Sequence, residues 1–281
     1  MQRTWFITGT STGFGRIMTE QLLARGDRVA ATLRNPAVLS ELQERHPGQL
    51  WVAQLDVTDH EAIRSVMARA FAELGHIDVV VSNAAYGLFG AAEELTDAQV
   101  ERQLDTNLLG SIGLIRAALP HLRKQGGGRV IQVSSEGGQM AYPNFSVYHA
   151  TKWGIEGFVE SVAQEVAPFG IELTLAEPGP TPTNFAAGLD AAPAMDEYAD
   201  TPSGGVRRAL VDGSFKLSGD PMRMVQAMIN SAGQSPAPRR ITMGSAAYRS
   251  IQAALAERLA RLEAQQELAR ACDLDQAAEQ A

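Results

Sequence analysis

Seven short runs of β-branched and other apolar residues recur along this 281-residue chain, separated by longer stretches whose apolar residues return at helical spacing. The runs are Thr4 to Thr8, Arg28 to Leu33, Leu50 to Leu55, Ile77 to Ser82, Gly128 to Ser134, Ile171 to Ala176 and Arg240 to Met243. Helical segments fall near Gly15 to Arg25, Asp59 to Leu74, Asp97 to Lys124 and Tyr148 to Val166. A strand that feeds a helix and then another strand buries its apolar face against a parallel neighbour covered by that helix. Near-continuous runs such as Ile77-Asp78-Val79-Val80-Val81 suit strands covered on both faces. The alternation predicts an α/β fold in one domain: a doubly wound, mostly parallel seven-stranded sheet with helices on both faces.

Two regions leave this rhythm. Between Pro180 and Phe215 the chain carries Pro180, Pro182, Pro193 and Pro202 with Gly188, Gly204 and Gly205, which predicts turns and short helices in a lid at about 180–216. A C-terminal helical extension is expected at about 245–281, with Ile251, Leu255, Leu259 and Leu262 on one face. That stripe fits a core face or a contact with a second copy, and both readings stay open. The balance of 24 basic and 32 acidic residues, a net charge of −8, offers no general attraction to nucleic acid or to an anionic membrane. No stretch approaches the ~18 consecutive apolar residues that span a bilayer. The single Cys272 cannot form an internal disulfide, and Met1 to Thr8 lacks the character of a signal peptide, so a cytoplasmic location is expected. The five histidines show no metal-ligand spacing, and no metal is expected.

The first run ends in Thr8-Gly9-Thr10-Ser11-Thr12-Gly13-Phe14-Gly15 and passes into a helix. Glycines at such a turn let the backbone approach a pyrophosphate, and the helix start beyond them offers unpaired N–H groups. Gly9, Ser11, Thr12, Gly13, Phe14 and Gly15 are therefore candidate dinucleotide-binding residues. A fold that chooses NAD places a carboxylate at the end of the second strand. Here Leu33 stands there and Arg34 follows, a partner for a 2′-phosphate, so NADP(H) is favoured over NAD(H). The other reading of Arg34 is a solvated strand end. Asp56 and Val57 close the third strand where an adenine could lie, though Asp56 equally fits the start of the next helix.

Tyr148 and Lys152, four apart, share one helix face, and Ser135 ends the strand before them. A phenol is a poor base near neutral pH, but an adjacent ammonium favours its phenolate form. His149 points roughly 100° away from Tyr148 and reads as packing. Met140, Tyr142, Phe185, Tyr198 and Phe215 are candidates for an apolar substrate pocket.

From Arg3 to about Thr183, and more weakly through Ile241, the sequence resembles the short-chain dehydrogenase/reductase family of the Tyr-x-x-x-Lys type, which has a Rossmann-type fold. Gly9, Gly13 and Gly15 match its nucleotide turn, and Asn83-Ala84 matches part of its Asn-Asn-Ala-Gly segment, which reads Ser82-Asn83-Ala84-Ala85 here. Asn107, Ser135, Tyr148 and Lys152 match its catalytic tetrad, and Pro178-Gly179 with Thr183 matches its nicotinamide-contacting segment. The resemblance implies interconversion of a small-molecule carbonyl and alcohol by hydride transfer with NADP(H), in a homodimer or homotetramer. Tyr148 would be the general acid/base and Ser135 the polarising hydroxyl. Lys152 would tune the phenol and bind the nicotinamide ribose, and Asn107 would hold a water linking Lys152 to solvent. An NADP(H)-binding sensor without turnover and an acyl-carrier ketoreductase are the alternatives.

Overall fold

The period of two along each strand decides which side chains meet which layer of helices. The computed structural model describes residues 2–274. Its strands are β1 (Thr4–Thr8), β2 (Arg28–Leu33), β3 (Leu50–Gln54), β4 (Val79–Ser82), β5 (Leu88–Phe89), β6 (Gly128–Val133), β7 (Ile171–Pro178), β8 (Asp190–Ala191) and β9 (Arg240–Met243). Its helices are α1 (Gly13–Ala24), α2 (Ser40–Arg45), α3 (His60–Leu74), α4 (Asp97–Leu104), α5 (Gly110–Lys124), α6 (Ser146–Val166), α7 (Asn184–Ala187), α8 (Pro202–Val211), α9 (Pro221–Ser231), α10 (Ser245–Glu263) and α11 (Gln266–Ala271). Phe6, Ala30, Val80 and Val130 pack in one core layer with Ile63 of α3, Leu114 of α5 and Ile155 of α6. Trp5, Ile7, Val29, Val81 and Ile131 enter the opposite layer, with Met18 and Leu22 of α1 and Val225 and Met228 of α9.

Seven strands pair in the order β3-β2-β1-β4-β6-β7-β9, all parallel. Chain order reverses between β1 and β4, so the connections leaving these two strands diverge. Such a switch point leaves a crevice at the carboxyl ends of the strands. A separate short parallel pair joins β5 to β8.

The seven expected strands all form, with ends shifted by at most two residues. The expected continuous helix from Asp97 to Lys124 is instead α4 and α5 joined by a π-helical turn over Asp105–Leu109. Helix α9 was not anticipated, although it carries a start signal. Asp220 accepts from the N–H groups of Met222 at 2.9 Å and Arg223 at 3.2 Å, and Pro221 occupies the first turn, where no N–H is needed.

The proline-rich segment contains short elements tied to the body. β8 pairs with β5, the buried Glu94 carboxylate accepts from Met195 N at 2.8 Å and Arg207 at 2.6 Å, and Asn144 Nδ2 donates to Ser203 O at 2.7 Å. In α10, Ala247 and Ile251 are buried, whereas Leu255, Leu259 and Leu262 are 46%, 56% and 67% exposed. The stripe is thus a core face only over its first turns. Residues 275–281 of the expected extension lie outside the described residues.

One guanidinium braces the strand ends beneath the crevice. Arg240 on β9 reaches Glu156 of α6 at 2.5 Å, Glu177 of β7 at 2.6 Å and Glu160 at 2.8 Å. Ser134 donates to Glu156 at 2.6 Å, while Gln139 and Thr242 donate to Glu177 at 2.7 and 2.9 Å. Glu156 and Glu177 are buried, so removing Arg240 strands two carboxylates without a counter-charge. Arg240→Met is expected to cost about 3 kcal/mol, and roughly 2 °C per kcal/mol gives a fall in Tm of about 6 °C by calorimetry; an unchanged Tm would contradict the bracing role.

Candidate active site

The glycine turn leaves β1 at the switch point, and its shape is set from behind. Gly9 and Gly13 have φ of +70° and +57°, a region that L side chains rarely adopt. A Cβ on Gly15 would lie 2.3 Å from Gly9 O and 2.6 Å from Asn83 Nδ2. Asn83 Nδ2 donates to Thr8 O at 2.8 Å and Gly9 O at 3.2 Å, and the Thr8 hydroxyl accepts from Asn83 N at 3.0 Å and Ala84 N at 3.1 Å. Asn83 and Ala84 therefore shape the turn. Ser11 and Thr12 are exposed, and Thr12, at the start of α1, caps no N–H with its side chain. The first-turn N–H groups of α1 lack a side-chain cap, an arrangement open to an anion. Phe14 packs its ring on the α1 and α9 core layer.

Arg34 is exposed directly after β2 and makes no ion pair among the described residues. Asp56 accepts from Thr58 N at 3.0 Å and Thr58 Oγ1 at 2.8 Å, a local turn. The start of α3 is capped instead by Asp59, which accepts from Glu61 N at 3.0 Å and Ala62 N at 2.9 Å. Asp59, where the sequence reading begins this helix, is its cap, and Asp56 is not. Val57 is buried, and its carbonyl lies 2.7 Å from where a Cβ on Gly110 would stand. Across the crevice, Gly179 N donates to Met243 O at 3.0 Å, just after Pro178 ends β7. Thr183 caps α7 and lies opposite the turn, its Cβ 3.9 Å from a Cβ built on Gly13. Two residues on, the Phe185 ring stands 5.5 Å from the Tyr148 ring.

Ser135 lies two residues beyond the end of β6, and its Oγ accepts from Gly137 N at 3.1 Å, capping a 3₁₀ turn over Glu136–Gly138. Tyr148 and Lys152 lie one turn apart on α6 and both are buried. Lys152 Nζ donates to Val133 O at 3.0 Å and sits 5.6 Å from the centre of the Tyr148 ring. Glycine turn, Thr183 and Phe185, and the Ser135, Tyr148 and Lys152 group thus border one crevice.

The sequence profile of the short chain dehydrogenase family matches residues 3–194. The chain belongs to this family. Among its relatives, Oxidoreductase BOA17 of Botryotinia fuckeliana (strain B05.10) is 34% identical over 245 residues, 87% of this chain and 89% of that protein. Human Retinol dehydrogenase 8 is 32% identical over 252 residues, 85% of this chain and 80% of its own. A solved short-chain dehydrogenase from Streptomyces avermitilis superposes with a TM-score of 0.90 at 35% identity, covering 98% of this chain and 100% of that one.

In this short-chain dehydrogenase, burial governs the site's titration. It pushes the Tyr148 phenol up to about 12, against the pull of the Ser135 hydroxyl, and pushes Lys152 down to about 8, against the attraction of the Glu156 carboxylate. The Lys152 ammonium donates to the Val133 carbonyl, and the Tyr148 phenol keeps its proton at neutral pH. Asn107, buried in the π-helical turn, accepts from Tyr86 N at 3.1 Å and donates to Tyr86 O at 2.8 Å. Its side chain satisfies backbone groups.

His149 does lie off the Tyr148 face, but it is more than packing. Its Nε2 accepts from Tyr142 N at 3.2 Å, which makes Nδ1 the protonated nitrogen that donates to Gly137 O at 2.9 Å. Burial holds it below the ordinary histidine range, so the ring is a neutral clamp on the loop after Ser135. Phe89, Phe145 and Tyr148 form an apolar cluster with Tyr142, Leu189, Val206 and Leu210. Of the pocket candidates, Tyr142 and Phe185 adjoin it, while Tyr198 donates its hydroxyl outward to Glu93 at 3.0 Å. Sequence reasoning passed over Glu136, Glu156 and Arg240. An acidic residue directly after Ser135 was the available signal for the first; nothing local marks the other two. His149→Leu leaves Gly137 O and Tyr142 N unpaired and is expected to cost about 1–3 kcal/mol. Amide exchange over residues 137–142 should quicken at least about tenfold, and unchanged exchange there would reject the clamp.

Proposed function

We propose that this chain is an NADP(H)-dependent oxidoreductase that interconverts a carbonyl and an alcohol on a small to medium, largely apolar molecule, with Tyr148 as general acid/base. The observation that carries this reading is the placement of Ser135, Tyr148 and Lys152 on the crevice that the glycine turn also borders. Similarity to a protein named for retinol, an apolar alcohol, and the aromatic cluster around Tyr148 support the substrate class.

The residues fit a dinucleotide. A Cβ on Gly9 would lie 2.8 Å from Ala84 Cα, whereas one on Gly13 meets nothing nearer than 3.9 Å, so the turn is closed behind and open in front. Backbone at Gly9, Ser11, Thr12, Gly13, Phe14 and Gly15 would hold the pyrophosphate, with Asn83 and Ala84 keeping its shape. Asp56 and Val57 border the adenine end, and the exposed Arg34 is available to a 2′-phosphate. Pro178, Gly179 and Thr183 border the nicotinamide end. When bound in its reduced form, the cofactor supplies hydride to the carbonyl carbon.

Tyr148, neutral before reaction, donates its proton to the developing alkoxide. Because Ser135 Oγ already accepts from Gly137 N, its O–H is left to donate to the substrate oxygen as charge builds there. Lys152 then stabilises the phenolate left behind and binds the ribose hydroxyls. With the Asn107 side chain committed to Tyr86, a water relay to Lys152 would have to use the Asn107 backbone in the π turn, which packs against α6. The 180–216 segment serves as a lid, held by the Glu94–Arg207 pair and by β5 and β8, within one domain. No helix among the described residues is long and apolar enough to cross a membrane. A sensor without turnover would leave the buried Ser135 and Tyr148 pair without a task.

Tyr148→Phe is expected to lower carbonyl reduction by at least about 10³-fold in NADPH absorbance assays while NADPH affinity stays within about twofold; unchanged turnover would reject the mechanism. Parallel titrations should show NADPH bound at least about tenfold tighter than NADH, with Arg34→Ala removing most of the difference. Equal affinities in the parent protein would remove NADP preference. The Lys152 ammonium is present below its pKa of about 8 and lost above it, so NADPH affinity should be flat on the acid side and fall as pH rises through that value, followed by fluorescence.

A further inference from the structure

Two buried carboxylates lie behind the site with only one guanidinium between them. Glu156 and Glu177 both pair with Arg240, and their side chains are 4% and 0% exposed. Glu160, the third acid on Arg240, reaches solvent. The buried set thus holds two negative charges and one positive, and uncompensated charge away from water is strongly unfavourable. The balancing charge is on the same helix. Lys152 precedes Glu156 by four residues on α6, which places the two side chains on one face with their Cβ atoms about 6 Å apart. Both residues are 3% exposed.

Consecutive residues of one segment receive the pair. Lys152 Nζ donates to Val133 O at 3.0 Å, and Ser134 Oγ donates to Glu156 Oε1 at 2.6 Å. Glu156 Oε2 faces the Arg240 guanidinium, so each oxygen has a donor, as an ionised carboxylate requires. Burial pushes this carboxyl up, and Ser134 and Arg240 pull it back. The space is reserved for it, because a Cβ on Gly138 would collide with Glu156 Oε1. No other group packed on α6 offers Lys152 a buried counter-charge. Tyr148 and His149 are neutral, and burial drives Glu136 toward its neutral form. Asp97, Glu101 and Arg102 of α4, Asp105 of the π turn, and Arg116, Arg123 and Lys124 of α5 are exposed, while burial keeps His121 of α5 neutral. Glu172 on β7 pairs with Arg129, and Glu165 on α6 itself is exposed.

We propose that Glu156 is a positioning residue that acts through Lys152: its carboxylate keeps the neighbouring ammonium charged, so that the enzyme holds the nicotinamide ribose and the Tyr148 phenolate up to mildly alkaline pH. The proposal deepens the dinucleotide reading above and rests on it for the task of Lys152. An opposite charge within about 4–6 Å moves an ionisation by about 1–3 pH units. Arg240 takes up part of that field, so the lower end of the range, about one unit, is expected at Lys152.

The chain has three lysines, and Lys124 and Lys216 are exposed, so Lys152 can be followed by NMR of lysine-labelled protein without cofactor. In the parent enzyme its ammonium should be present below about 8 and lost above it. Glu156→Gln keeps the shape and removes the charge, and should bring the midpoint down by about one unit, to about 7. Ser134→Ala removes a hydrogen bond from Glu156 but leaves its charge, and should move the midpoint less than half as far. An unchanged midpoint in Glu156→Gln overturns the proposal. So does an equal shift in Ser134→Ala, the mark of a merely structural role. Kd for NADPH, read by fluorescence over the same pH range, should rise on the alkaline side at each variant's own midpoint. A midpoint that moves in Glu156→Gln while NADPH affinity does not follow would sink the ribose contact of Lys152 and leave its pairing with Glu156 standing. If Glu156→Gln does not fold, the parent titration decides: a midpoint at about 8 or above supports the proposal, and a lower one overturns it.

Discussion

A hydrogen bond from Lys152 Nζ to Val133 O, 3.0 Å long, sets how α6 lies on the carboxyl end of β6. Everything chemical in this protein follows from that register. Ser134 donates to Glu156 one turn beyond Lys152, and His149, one turn before it, clamps Gly137 and Tyr142. Four hydrogen bonds to three side chains of α6 thus pin the stretch from Val133 to Tyr142 against the stretch from Tyr148 to Glu156. Ser135 and Tyr148 come together because each belongs to one of those stretches.

The same packing explains the site's electrostatics. A phenol and an amine buried against a strand end lose water, and both are driven toward their neutral forms. For a proton donor to a nascent alkoxide, a neutral phenol is the competent state. Glu156 opposes the loss of the lysine's charge, and Arg240 in turn offsets the burial of Glu156. The brace extends to Glu177, directly before Pro178 and Gly179, so one buried network holds the segments flanking both the serine and the proposed nicotinamide end.

Much of this was legible because the relevant signals are local. Strand period, helix period and the glycine spacing each involve residues within one or two elements, and parallel β-α-β wiring then permits few arrangements. Helix α9 was missed although Asp220-Pro221 announces it, because the proline-rich stretch before it drew the reading toward a loop. The π turn at Asp105–Leu109 has no such announcement: a helical pattern that widens by one residue keeps nearly the same apolar spacing. Asn107 was legible as a polar residue in a helix, but its two hydrogen bonds to the Tyr86 backbone depend on a loop that follows another strand.

The amino-acid sequence by itself determined the layered sheet, the place of the glycine turn at its first strand, and the pairing of Tyr148 with Lys152, since spacing along one chain settles each of these. Only the tertiary structure decided that burial holds the Tyr148 phenol up, that the Asp56 side chain closes a local turn on Thr58, and that Leu255, Leu259 and Leu262 stay exposed on α10. It also decided the fate of Glu136, whose buried carboxyl oxygen has no partner. Those outcomes depend on which atoms from distant segments exclude water from one another, a quantity that spacing along the chain does not carry.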